Sequence, residues 1–180
     1  MSLIQITSKN ESSKTSHLTI NLNIKSDVYI DIWLIDPTYT QQQISSEAMP
    51  AAIGGIATFT EYHLKLNKPI RLFKSPETFT KALNDKIPDI IGFSNYMWNS
   101  ELSLALARRI KEISPRTIIV MGGPNYPVTK YEQEIFLRKH PEIDFYIIGE
   151  GELAFANLVA ALINENLDKN KIRTELPSVH

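Results

Sequence analysis

The sequence predicts an α/β fold, a doubly wound, five-stranded parallel sheet in the order 2-1-3-4-5 with helices on both faces. Three observations predict it. From Tyr29 onward, five short apolar runs alternate with five segments of helical length and spacing. The runs are apolar throughout, as strands covered on both faces are. The chain turns abruptly after several of them, at Pro37, at Gly122-Gly123 and at Gly149. Right-handed crossovers then leave few topologies, of which the Rossmann-like, flavodoxin-like order is the expected one.

The elements follow in turn. YIDIWLID (29–36) is a buried strand stopped by Pro37. A polar loop, TYTQQQISSE, leads to Pro50, which suits the first turn of a helix carrying Ile53, Ile56, Ala57, Thr60 and Leu64 on one face. A short strand over 69–73 precedes Ser75-Pro76-Glu77: a hydroxyl cap, a proline at the first helical position and an acid against the dipole. Phe79, Ala82 and Leu83 give that helix its apolar stripe. DIIGFS (89–94) is the third strand, and its helix is expected to bury Leu102, Leu106, Ile110 and Ile113. TIIVMGG (117–123) is the fourth, followed by a helix that Pro141 ends. IDFYII (143–148) is the fifth, and the last helix buries Phe155, Leu158, Val159 and Leu162.

Bulk properties exclude several classes. The 180 residues are enough for one domain, and a hydrophobic share of 43% supports a real core. A net charge of -1 gives no reason to expect a nucleic acid or an acidic membrane surface as partner. No apolar run approaches a membrane span and no signal peptide is present, so the expected location is the cytoplasm. With no cysteine, the chain holds no disulfide, no thiolate metal site and no thiol nucleophile. Residues 1–28 read as a flexible leader in which the alternating stretch 18–24 forms at most a short edge strand; the folded domain is expected over 29–167.

In a doubly wound sheet, ligands lie outside the carboxyl ends of the strands. Four loops meet that edge: Asp36-Pro37-Thr38-Tyr39, the stretch from Ser94 to Asn99, Gly122-Gly123-Pro124-Asn125-Tyr126, and Gly149-Glu150-Gly151-Glu152. Each has an ordinary explanation. Glycine after a strand often only turns the chain, aromatic rings near strand ends often cap the core, and acids at a helix start stabilise its dipole. Together they suit a large flat ligand: glycines admit it, rings pack on it, amides bond its rim. They are expected to form a shallow groove.

Familiar chemistries fail on residues. A phospho-acceptor receiver needs an Asp ending the third strand and a Lys ending the fifth, where Ser94 and Gly149 stand. A flavodoxin-type phosphate loop is dense in hydroxyls and glycine, and TYTQQQ has no glycine. No GxGxxG follows the first strand. His17, His63, His140 and His180 stand singly.

Three stretches resemble the cobalamin-binding domain that precedes many radical SAM enzymes: PAAIGGIATFTEYHLKL (50–66), DIIGFSNYMWN (89–99) and MGGPNYP (121–127). The most specific is HPEIDFYIIGEGELAFANLVAAL, similar to that family's Asp, apolar strand, GEGE, helix signature. The likeness runs from about residue 29 to 162. It implies cobalamin as cofactor and a rim made by Thr38, Tyr39, Ser94, Asn95, Tyr96, Trp98, Gly122, Gly123, Pro124, Asn125, Gly149, Glu150 and Gly151. The paired glycines of MGGPNYP would let the backbone lie against the nucleotide tail or the corrin edge.

Two departures qualify this. The wider superfamily places a cobalt-ligating His in a DxHxxG loop after the first strand, where Thr38 and Gln41 stand here; the resemblance therefore implies no protein His on cobalt. Asn125 and Tyr126 stand where relatives often carry His and Pro. The resemblance further implies that the chain is the N-terminal domain of a longer enzyme, with 168–180 beginning a linker to a radical SAM domain. That domain would hold S-adenosylmethionine and an iron–sulfur cluster on a CxxxCxxC motif. The implied reaction is methyl transfer with cobalt as relay, and the fragment alone is not catalytic. A degenerate module serving domain contacts, and a small-ligand sensor without cobalt chemistry, stay open as alternatives.

Overall fold

Side chains of a strand alternate between the two faces of its sheet, and that alternation divides the interior of the computed structural model into two cores. The strands are β1 (Ile32–Ile35), β2 (Arg71–Phe73), β3 (Ile90–Ser94), β4 (Ile118–Gly122) and β5 (Phe145–Ile147). The helices are α1 (Ala51–Leu64), α2 (Pro76–Asp85), α3 (Ser100–Ile113), α4 (Lys130–Lys139) and α5 (Gly151–Asn164). All neighbours pair in parallel in the order β2-β1-β3-β4-β5. Ile32, Leu34, Ile90, Ile118, Val120 and Ile147 face one core, which α1 and α5 cover. Trp33, Ile35, Ile91, Phe93, Ile119 and Met121 face the other, under α2 and α3. The structure describes residues 29–39, 50–172 and 179–180. The leader with its alternating stretch 18–24 and the loop 40–49 lie outside them.

Local signals act as their chemistry dictates. The Ser75 side chain accepts from the Thr78 amide, with Pro76 in the first turn of α2. In α1, Ile53, Ala57, Thr60 and Leu64 are buried, with Ile56 half-buried. α3 corrects the expectation. It buries Ser103, Leu104, Ala107 and Ile110, while Leu102 and Leu106 are half-buried and Ile113 is exposed. The helix is rolled so that its small residues face the sheet, where Ser103 Oγ donates to the Ser94 carbonyl at 2.9 Å. Close approach and a satisfied strand end outweigh the larger leucine stripe.

The amino edge of the sheet is fastened by buried carboxylates. Asp31, 1% exposed, accepts from Lys68 Nζ at 2.5 Å, Lys86 Nζ at 2.8 Å and Trp33 Nε1 at 2.9 Å. Asp144 accepts from Lys111 Nζ and from the Ile119 amide, and Lys169 pairs with it too. The stretch 168–180 contributes a 3-10 turn, Lys169–Lys171, and a pair of residues on the outer edge of β5. Val179 opposes Ile147 and is buried, and His180 exchanges both backbone hydrogen bonds with Tyr146.

Burial works against the charge of Asp31, but the hydrogen bonds from Lys68, Lys86 and Trp33 outweigh it and hold its carboxyl below the ordinary value. A folded value below the unfolded one, near 3.9, contributes stability that is present above it and lost as pH falls through the folded value. Asp31→Asn is therefore expected to lower stability at pH 7 by about 2 kcal/mol and to flatten the loss of stability below about pH 4. Urea denaturation across that range checks both.

Candidate functional site

Because every strand pairing is parallel, the loops after β1, β3, β4 and β5 leave from one edge of the sheet. The order changes direction between β1 and β3, the place where doubly wound sheets bind ligands. A cleft of about 560 Å³ opens there. It is no shallow groove: it reaches down the sheet to Leu34, Gly92 and Val120, with Ile53 and Ile56 of α1 and Phe155 of α5 also lining it. The depth has a simple cause. Gly92 and Gly122 fall in register with the residues facing the α1 and α5 core. Leu34 leans over Gly92, where a Cβ would stand 2.4 Å from its Cδ2, and a Cβ on Gly122 would meet nothing closer than 3.5 Å.

The two covering helices meet closely at their amino ends. A Cβ on Gly151 would stand 2.7 Å from Ile56 Cδ1, and one on Gly55 would stand 3.2 Å from Glu152 Oε1. The GEGE motif thus divides its labour. Gly149, at φ +78°, turns the chain, Glu150 occupies the N-cap, Gly151 admits α1, and Glu152 sits in the first turn of α5.

Two polar knots stand behind the cleft. In the first, Ser94 Oγ donates to Asp36 Oδ1 at 2.5 Å, and Asn99 Nδ2 donates to Asp36 Oδ1 at 3.0 Å and to Ser94 Oγ at 2.9 Å. Asn99 Oδ1 in turn accepts from the Tyr96 amide. In the second, Asn95 donates through its backbone to the Gly122 carbonyl at 2.6 Å and through Nδ2 to the Asn125 carbonyl and Tyr146 Oη. Tyr146 Oη donates to the Gly123 carbonyl at 3.0 Å. Burial pushes the Tyr146 phenol well up, so it remains a donor at any ordinary pH.

The structure brings eight of the expected rim residues to the cleft: Ser94, Tyr96, Gly122, Gly123 and Pro124 on one side, and Gly149, Glu150 and Gly151 on the other. Five stand outside its lining. Asn95 is fully buried and spent on the second knot, where Asn125 bonds it in return. The Thr38 amide is tied to the Lys74 carbonyl, and Tyr39 is exposed. Trp98 stacks flat on Tyr96 at 4.5 Å and is 66% exposed.

Sequence reasoning missed the deep lining, Leu34, Gly92, Val120 and Phe155, together with Gln133; Tyr126 it placed only as the end of the loop after the fourth strand. The signal for the first group was a glycine inside an otherwise apolar strand, on the face its neighbours leave to α1 and α5. Tyr126 stacks on Tyr146 at 3.8 Å, and its buried Oη has no partner among the described residues. Gln133 gave no signal of its own.

The glycines of the opening turn also divide. Gly123 has φ +133°, and a Cβ there would stand 2.5 Å from the Asn95 carbonyl oxygen, so the fold itself demands this glycine. Gly122 is different: a Cβ would meet nothing closer than 3.5 Å.

Fold and cleft together define a class, the doubly wound α/β domains that take a ligand at the carboxyl edge of a parallel sheet. Within it, the chain belongs to the B12 binding domain family, whose model matches residues 46–159. It is 36% identical over 126 residues to the cobalamin-dependent radical SAM methyltransferase TokK of Streptomyces tokunonensis, a match covering 67% of this chain and 18% of that protein. It is 27% identical over 130 residues to the 2-(S-pantetheinyl)-carbapenam-3-carboxylate methyltransferase of Streptantibioticus cattleyicolor, covering 69% and 18%. Among solved structures, the cobalamin-dependent S-adenosylmethionine radical enzyme OxsB, with aqua-cobalamin and S-adenosylmethionine bound, shares the fold. The TM-score is 0.61 at 16% identity, over 83% of this chain and 20% of that one. The chain thus spans 18% of the length of each of these two curated relatives.

The three glycines should differ in what an added methyl group costs. Gly123→Ala is expected to lose the most, through positive φ and the backbone contact together. Gly149→Ala should lose about 1 kcal/mol through φ alone, and Gly122→Ala close to nothing. Thermal melting of the three variants checks the order; equal melting of all three contradicts it.

Proposed function

We propose that the chain binds cobalamin in this cleft, as the cofactor-carrying module of a longer radical SAM methyltransferase. The observation that carries the reading is the slot itself. It is apolar and deep where Leu34, Gly92, Val120 and Phe155 line it, as a flat base of the nucleotide tail requires, and turned by glycine at its mouth, as a corrin edge requires. Ser94, Tyr96, Gly122, Pro124, Gly149 and Gly151 would hold the cofactor. Asn95 and Asn125 act from behind, by setting the loops that carry those residues.

The donor set fits a cobalamin without protein ligation. Among the described residues no imidazole lines the cleft, and Thr38 occupies the loop position where the wider superfamily has His. Bound there, cobalamin supplies methyl transfer by way of cobalt, while the chain supplies position and a dry face. The other partner is the remainder of the enzyme, with its S-adenosylmethionine and iron–sulfur cluster. Met97 and Trp98, exposed on the β3 loop beside the cleft, are the residues we assign to that contact.

Titration of the chain with hydroxocobalamin, followed in the visible spectrum, tests the reading: a saturable spectral change is expected, and none would overturn it. Gly122→Ala should bind about tenfold more weakly, roughly 1.4 kcal/mol, with melting unchanged. The paramagnetic resonance of the bound cob(II)alamin form should be indifferent to replacing any of His17, His63, His140 or His180. An axial nitrogen splitting that vanishes in one of these variants would place a protein imidazole on cobalt.

A further inference from the structure

We propose that Gln133 reads the rim of the ligand: its Oε1 accepts a hydrogen bond from a peripheral carboxamide of the corrin, and so selects amide over acid at that position. The inference rests on the cobalamin reading and deepens it.

Gln133 lies in the first turn of α4, and it is the one residue of that helix that is buried, at 8% exposure. An amide is an unusual choice for such a place, since a leucine would fill it without needing partners. Its Nε2 donates to the Pro127 carbonyl at 2.8 Å and lies 3.4 Å from the Val128 carbonyl. Both neighbours accept only. Turning the amide over would set Oε1 against two carbonyl oxygens, so the orientation of the group is fixed by its surroundings.

The consequence falls on the other atom. Oε1 has no partner among the described residues, yet it is not among the sealed, unsatisfied atoms, which are Thr60 Oγ1 and Tyr126 Oη. Gln133 lines the cleft. It therefore brings to the cleft an acceptor that cannot become a donor. A carboxylate or phosphate has no proton to give it at neutral pH, whereas a primary amide has two. A site built around one fixed hydrogen bond rejects the analogue that cannot make it. Cobalamin carries primary amides around its macrocycle, and the β4 side of the cleft is where one of them would meet Gln133.

The same residue also fastens the loop 124–128, so the test has to separate holding the loop from reading the ligand. Gln133→Lys does so. A lysine keeps donation to the two carbonyls, as Lys111 Nζ does to the carbonyls of Pro115 and Thr117 in this same chain. It replaces the acceptor by a cation. Gln133→Met removes both functions at similar volume. Each protein is titrated with cobalamin and with its peripheral monocarboxylic acids, each bearing one amide hydrolysed to carboxylate, and each is checked by thermal melting.

The unmodified chain is expected to bind at least one of these acids about tenfold more weakly than cobalamin. Gln133→Met should lose about fivefold on cobalamin and lose the discrimination. Gln133→Lys should lessen or invert the preference for that same acid. An unmodified chain that treats all the acids as it treats cobalamin overturns the inference without reference to any variant. So does a Gln133→Lys variant that keeps the discrimination. An unmodified chain that binds no cobalamin overturns the underlying reading instead, and is recognised in the first titration before any acid is added.

Discussion

The carboxyl edge of this domain depends on one buried side chain, Asn95. It sits where β3 ends and has no exposure; its side-chain amide bonds the following loop at Asn125 and β5 at Tyr146 Oη, while its backbone amide holds β4 at the Gly122 carbonyl. Removing an amide so placed leaves several groups without partners at once, the costliest kind of hydrogen-bond loss. Its carbonyl also explains Gly123, whose missing Cβ is the space the Asn95 backbone occupies. Asn95 and Gly123 therefore form a unit, one polar and one empty, that holds the β3 and β4 loops in register beside the cleft.

That dependence shows why the fold was more legible in the sequence than the site. Strands and helices announce themselves by periodicity, and the five apolar runs and the Ser75-Pro76-Glu77 start signal act as their chemistry says. α3 was misread by rotation, because Ser103 and Ala107 are small enough to lie against the sheet and a reading by apolar residues favours Leu102 and Leu106 instead. Loop residues were legible only as a set. The family resemblance implied Asn95 and Asn125 as rim residues, yet whether an amide faces a ligand or its own backbone is decided by contacts between loops some thirty positions apart. Gln133 was invisible for the opposite reason, being a single polar residue in a helix start where polar residues are common.

The cleft itself is made by absence more than by presence. Gly122 leaves a side chain out of one face of the sheet, Gly92 lets Leu34 lie low over its strand, and Gly55 and Gly151 let the covering helices close over the space that results. Its lining is apolar because it is the same face that elsewhere packs as core. Among the described residues, the polar side chains that line it stand towards the rim and at Gln133, above an apolar interior.

The helices over the cleft, α1 and α5, begin at residues 51 and 151, a hundred positions apart, and they make the most extensive helix-to-helix contact in the fold. The opposite layer is assembled from α2 and α3, neighbours in the chain. Joining distant segments carries the larger loop-closure cost and is the slower step in folding. The layer that encloses the cleft is thus the one whose formation ties the early part of the domain to the late part. A molecule seated between α1, α5 and the sheet acts as a clasp on that closure, and its binding free energy adds directly to the resistance of the whole domain to unfolding.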